Sequence, residues 1–165
     1  MDTTNELITA IEAMDPEILA FSVLFFAGLV TILAALTVIR YLLIAIGYSG
    51  MYRKAGVAPW KAFIPVYNTY NNYKLSWNGK FFFLSAALYI LMSILGGAEA
   101  LALQLVAGAA AIALIVVDMK QNIKMAKLFG KGSGTGVALF FFPGIASLIL
   151  GLGKAEFQGE MIENN

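Results

Sequence analysis

SGMYRKAGVAPWKAFIPVYNTYNNYKLSWNGK, residues 49–80, is the longest stretch of this chain that cannot sit in lipid. It carries five of the eleven Lys and Arg residues and two of the four prolines, among many aromatic rings. On either side the chain turns hydrocarbon-seeking. The 165 residues are 60% hydrophobic and 13% charged, against about half apolar and a quarter charged in a soluble domain. The apolar surplus lies in long runs, so the class is an all-α integral membrane protein.

Within the opening stretch, Pro59 suits the first turn of a helix. Trp60, Phe63, Ile64, Tyr67, Tyr70 and Lys74 recur at spacings of three and four, with Asn68, Asn71 and Asn72 on other faces. The segment is too polar to span. It reads as an amphipathic helix at the membrane interface, where Trp and Tyr rings settle at headgroup depth, kinked at Pro65. Two readings follow. Trp60, Phe63, Tyr67, Tyr70 and Lys74 form a platform for a protein partner or an anionic lipid, or they only anchor the end of a helix bundle.

Toward the N-terminus, Asp15-Pro16-Glu17 is a helix start signal: a side-chain cap, a proline at the first helical position and an acid at the positive dipole end. The uncharged run Ile18–Ile39 has 22 residues; at about 1.5 Å per residue it crosses a core about 30 Å thick. Arg40 ends it, but the apolar pattern continues, giving a first span at about 18–46. Residues 1–17 are acidic and lack the basic start of a signal peptide. Thr3 and Glu6 fit a capping box, so this segment is expected as a short amphipathic helix on the outer face.

Toward the C-terminus, spans are expected at about 80–96 and 98–118, joined tightly at Gly96-Gly97 as an antiparallel hairpin. Ser85, Tyr89 and Ser93 share a helix face, which should turn inward so that the hydroxyls find partners. The third span should extend to residue 129 beyond the membrane, bearing Lys120, Lys124, Lys127 and Lys131 as a basic face and ending at Gly130. The glycines around Lys131 do not follow the order of a phosphate-binding loop. A fourth span, 136–152, should be kinked at Pro143 and followed by a polar outer tail, 154–165.

The basic residues orient this four-helix bundle. Ten of the eleven Lys and Arg residues lie in or beside the two loops 49–80 and 118–131; only Lys154 does not. By the positive-inside rule both loops are cytoplasmic and both termini outside. Arg40 and Asp118 then lie at the same inner boundary, and a carboxylate so near hydrocarbon calls for a partner, so the two are expected to pair.

At Lys54-Ala55-Gly56, Trp60, Ile64-Pro65, Tyr67-Asn68 and Tyr70 the chain resembles a bacterial family of small multi-spanning membrane proteins with a domain of unknown function. Ala126-Lys127, Phe129-Gly130-Lys131, Pro143, Gly153, Phe157 and Gly159 continue the match in order. Ala58-Pro59, Leu75-Ser76-Trp77 and Gly96-Gly97 depart from the family pattern. The resemblance implies a multi-span protein of the bacterial inner membrane. Family members are often labelled signal peptidase I or fused to it, which implies a Ser–Lys dyad on the outer side. Ser49 and Lys54 lie on the inner side, so no peptidase activity is carried over.

With neither Cys nor His, thiolate chemistry and the usual general base and metal ligand are excluded. Net charge is +1, which gives no footprint for nucleic acid. No cofactor or metal is expected. The expected function is that of a non-enzymatic accessory or scaffold subunit, meeting membrane lipids and a protein partner through its cytoplasmic face. The alternative is a small transporter or channel component; a membrane-embedded enzyme fits the residues less well.

Overall fold

The computed structural model describes residues 3–12 and 15–159, and the chain divides into two compact units, Met1–Arg40 and Tyr41–Asn165. The described residues are all-helical outside their turns. The helices are α1 (Thr3–Glu12), α2 (Pro16–Lys54), α3 (Pro65–Ser76), α4 (Lys80–Leu95), α5 (Leu101–Leu128), α6 (Ser133–Phe141) and α7 (Pro143–Leu152), with a 3-10 turn over Pro59–Phe63.

In the first unit, α2 starts where the sequence signals it. The Glu17 N–H donates to Asp15 Oδ1 at 2.8 Å, and Pro16 is the first helical residue. Thereafter Ile18, Phe21, Leu24, Phe26 and Val30 are exposed. An apolar helix surface this long requires a nonaqueous neighbour. Helices α2 and α5 are both long and apolar enough to cross a membrane, while α4 and α7 are apolar but shorter.

The second unit holds the core. Tyr48, Met51, Tyr52 and Ala55 from the end of α2 pack with Met125, Ala126 and Phe129 of α5, Leu139 of α6, and Ala146 and Leu150 of α7. The first helix runs on past the expected span to Lys54, because its last turns bury a face against this core. Gly56 stops it with φ +74°, while Val57 N–H donates to Tyr52 O at 2.8 Å. Gly130, at φ +66°, ends α5 in the same way, with Lys131 N–H on Ala126 O at 3.0 Å. Both are left-handed glycine stops in which the freed carbonyls are capped by the chain that follows.

The expected single helix through residues 59–76 is broken rather than kinked. Ile64 is extended, at φ −103° and ψ 112°, because the residue before a proline is driven out of the helical region. A 3-10 turn therefore precedes α3. The Tyr41 hydroxyl ties that turn to α2 by donating to Phe63 O at 2.7 Å.

The run 136–152, expected as one kinked span, is two helices of opposite sense. From Gly132 onward α6 runs back along α5, with Gly136 against Ile123. The chain turns at Phe142-Pro143, where Pro143 opens the new helix. Helix α7 then follows α2 in parallel: Gly144 lies near Leu43 and Ile44, Ser147 against Gly47, and Gly151 against Gly50. A Cβ on Gly50 would come within 2.7 Å of the Gly151 carbonyl, so the two backbones approach as small residues allow. The tail expected on the face opposite Lys54 returns to it. Gln158 N–H donates to Leu128 O at 2.6 Å, and Phe157 packs edge-on to Phe129 with centroids 5.5 Å apart.

The hydroxyl face of α4 also departs from expectation. Ser85 is buried, but Tyr89 is exposed and Ser93 satisfies itself on Tyr89 O at 2.8 Å. A serine can return its proton to its own helix, so it does not require a partner helix.

Candidate functional site

The core end of the second unit gathers the sequence-predicted residues from three directions. Helix α3 turns Asn68, Asn71, Asn72 and Tyr73 inward and leaves Trp60, Phe63 and Tyr67 exposed beside it. The exposed rings form a ladder. Trp60 stacks on Tyr67 with centroids 6.0 Å apart, Tyr67 on Tyr70 at 6.3 Å, and Tyr70 meets Phe82 edge-on at 5.7 Å. Thus Trp60, Tyr67 and Tyr70 act together, whereas Phe63 stands outside the ladder.

The four lysines of the expected basic face do not act together, and Lys131 lies beyond the end of α5. Lys120, Lys127 and Lys131 are exposed, while Lys124 turns onto the indole of Trp77, 4.0 Å from the ring centre. Trp77 in turn stacks on Phe81 at 3.6 Å. Lys74 and Lys80 line a recess of about 400 Å³ with Tyr70, Trp77 and Phe83. The lysine helix and the aromatic segment, separate in sequence, therefore meet around Trp77. That ring carried no weight in the sequence reading; its only signal was an aromatic flanked by lysines.

Beneath the ladder lies a polar cluster that sequence reasoning missed. The Tyr52 oxygen lies 2.6 Å from Asn68 Oδ1, 2.8 Å from Asn68 O and 2.7 Å from Asn72 Oδ1. A phenol has one proton, so the cluster closes when a carboxamide presents its NH₂ to the phenol oxygen. Gln121 Nε2 donates to Ser76 Oγ at 3.1 Å and to Asn72 O at 3.3 Å. No buried side-chain polar atom among the described residues lacks a partner. The asparagines that the spacing puts on the other faces of this segment are thus the polar core of the site.

Asp118 is held by hydroxyls. Tyr73 donates to Oδ1, as does Ser85 at 3.1 Å. Burial, reinforced by this carboxylate, pushes the Tyr73 phenol well above its ordinary pKa, so it remains a donor. Arg40, the partner expected from the sequence, belongs to the other compact unit. Arg40 lies exposed in the first unit, and Asp118 takes its two hydrogen bonds from α3 and α4. Asp118 opens onto a cavity of about 280 Å³ lined also by Tyr48, Asn72, Gln121 and Pro143.

Lys54 has a defined role. Its ammonium donates to the carbonyls of Leu150 at 2.6 Å, Gly153 at 2.7 Å and Ala155 at 2.8 Å. Three protons meet three acceptors at the negative end of α7. The residues singled out by motif therefore converge: Lys54 and Gly153 share a hydrogen bond, Phe129 meets Phe157, Gly130 lies against Gln158, and Gly159 against Phe157 and Leu128. Pro65 and Pro143 each open a helix, and Asn68 lies in the Tyr52 cluster. Among the described residues no group of acids is placed to hold a metal ion.

No curated protein and no solved structure matches the chain. One family model does, over residues 60–160, which is more than half of the 165 residues and takes in the aromatic ladder, Asp118, the α6–α7 turn and Gly153. The chain belongs to the family of unknown function DUF5684.

Proposed function

We propose that this is a non-enzymatic integral membrane protein whose cytoplasmic end binds the phosphate headgroup of an anionic lipid, as an accessory or scaffold subunit. The observation that carries the reading is the recess that Lys74 and Lys80 line with Tyr70, Trp77 and Phe83, with Lys124 set over the Trp77 ring beside it. Aromatic rings set the depth, and the ammonium groups supply about 1 kcal/mol each at an anionic surface.

The topology we propose with it has three crossings, α2, α4 and α5, and a re-entrant α6–α7 hairpin in place of a fourth. Because the hairpin returns the tail to the Lys54 end, Lys154 joins the other basic residues, and all eleven Lys and Arg fall on the cytoplasmic side. The N-terminus is outside and the tail inside. Irregular backbone at membrane depth is tolerated where protein packs against it, as Leu43 and Ile44 of α2 do beside Gly144.

The test is lipid retention. Full-length protein is extracted from mixed phosphatidylglycerol and phosphatidylcholine nanodiscs, and the retained lipid is weighed by mass spectrometry. Phosphatidylglycerol should be enriched, and Lys74→Ala with Lys80→Ala and Lys124→Ala should abolish the enrichment. Equal retention of both lipids by the native chain would sink the proposal.

A second reading, a small transporter or channel component, is favoured by one observation: a discontinuous helix pair meets the polar cavity at Asp118. Solute flux through vesicles carrying the protein alone would separate it from the first.

A further inference from the structure

The carboxylate of Asp118 is only half used. Both of its donors, Tyr73 and Ser85, lie on Oδ1. Oδ2 accepts nothing, and no unpartnered polar side-chain atom is buried, so Oδ2 is open to its surroundings. Those surroundings are of two kinds. On one side is the polar cavity of about 280 Å³. On the other is an apolar cleft of about 720 Å³ walled by Val66, Phe82, Ala86, Tyr89, Ile90 and Leu114. Thr69, Ser85 and Asp118 line both. Neither is lined by Lys or Arg.

From this juxtaposition we propose that the cleft binds a membrane lipid with a primary-ammonium headgroup. The ammonium donates to Asp118 Oδ2 and an acyl chain lies along Phe82, Ile90 and Leu114. Three features select that ligand. An anionic acceptor without a cation attracts positive charge, and a charge-assisted N–H···O⁻ bond is about twice as strong as a neutral one. An open carboxylate lone pair needs a donor proton, which a primary ammonium has and a quaternary one lacks. The cleft has the size and apolar lining of a ligand site, and Tyr89 and Ile90 on its wall are exposed on an apolar helix, so a chain can enter from the bilayer. This site is separate from the lysine recess and calls for the opposite headgroup charge.

The probe is dodecylammonium chloride, titrated calorimetrically into the full-length protein in a nonionic detergent. Saturable binding at one site is expected. Dodecyltrimethylammonium and butylammonium should each bind at least about tenfold more weakly, a difference of about 1.4 kcal/mol. Phosphatidylethanolamine in nanodiscs should displace the probe, and phosphatidylcholine should not. Asp118→Asn should weaken the probe by the same factor. Should that variant fold poorly, Ala86→Phe, which fills the cleft without touching the carboxylate, should reduce dodecylammonium to the affinity of butylammonium. Equal affinity for the primary and quaternary heads would overturn the proposal, as would chain-length independence in the native protein, which would indicate a soluble amine.

Discussion

The ammonium of Lys54 sits 2.6 Å from the carbonyl oxygen of Leu150 and closes the end of a helix nearly a hundred residues away in the chain. Two further carbonyls, of Gly153 and Ala155, complete its hydrogen bonding. This contact holds the α6–α7 pair against the end of α2, so its loss is felt at two elements. Hydrogen bonds to a charged group are worth about 1.5–3 kcal/mol, and Lys54→Met should lower thermal stability in detergent by an amount in that range. Lys54→Arg should recover little of it, because a planar guanidinium cannot reach three carbonyls arranged around a point charge. An unchanged melting temperature in Lys54→Met would remove the contact from the account.

The return of the tail to the Lys54 end makes a topological prediction. A cysteine at Glu156 should be shielded from an impermeant thiol reagent in intact cells and react only after permeabilisation, like one at Ser133. A cysteine at Thr4 should react in intact cells. Labelling at Glu156 without permeabilisation would restore a fourth crossing.

The approach of α2 to α7 depends on two glycines. Gly50→Ala places a methyl 2.7 Å from the Gly151 carbonyl, which is backbone and cannot swing aside. The expected cost is about 1–3 kcal/mol, the range for overpacking a close interface. Gly97→Ala, which meets nothing within 4 Å, is the control and should be near neutral. If the two variants melt alike, the helices are not as close as described.

Tyr73 and Asp118 should be energetically coupled. Tyr73→Phe removes the donor and Asp118→Asn the charge, so in a double-mutant cycle the losses should fall short of additive by about 1–2 kcal/mol. Strict additivity would show that the hydroxyl and the carboxylate do not meet in solution.

Trp60 is 57% exposed at the end of the stacked row it forms with Tyr67 and Tyr70. At a membrane interface its emission should be blue-shifted and quenched by lipids brominated near the headgroup, measured in a Trp77→Phe background. A fully water-like emission would place the ladder away from the bilayer.

The sequence by itself determined where the long helices begin and end, because those signals are local. Asp15-Pro16 starts α2, Gly130 ends α5, and uncharged runs are legible from length alone. It also marked Lys54, Gly56, Gly153 and Gly159 by motif without saying what they do. What only the tertiary structure decided is how the ends meet. Pro143 announces an interrupted helix, but whether the chain kinks or folds back depends on partners far along it: Gly47 and Gly50 to admit α7, Ile123 to receive Gly136, and Lys54 to cap Leu150. The same holds for polarity. An amide prefers water to hydrocarbon, yet Asn68 and Asn72 are buried, because Tyr52 and Gln121 supply the hydrogen bonds that water would. Asp118 likewise found Tyr73 and Ser85, whose hydroxyls lie 45 and 33 residues away and carry no charge to announce them.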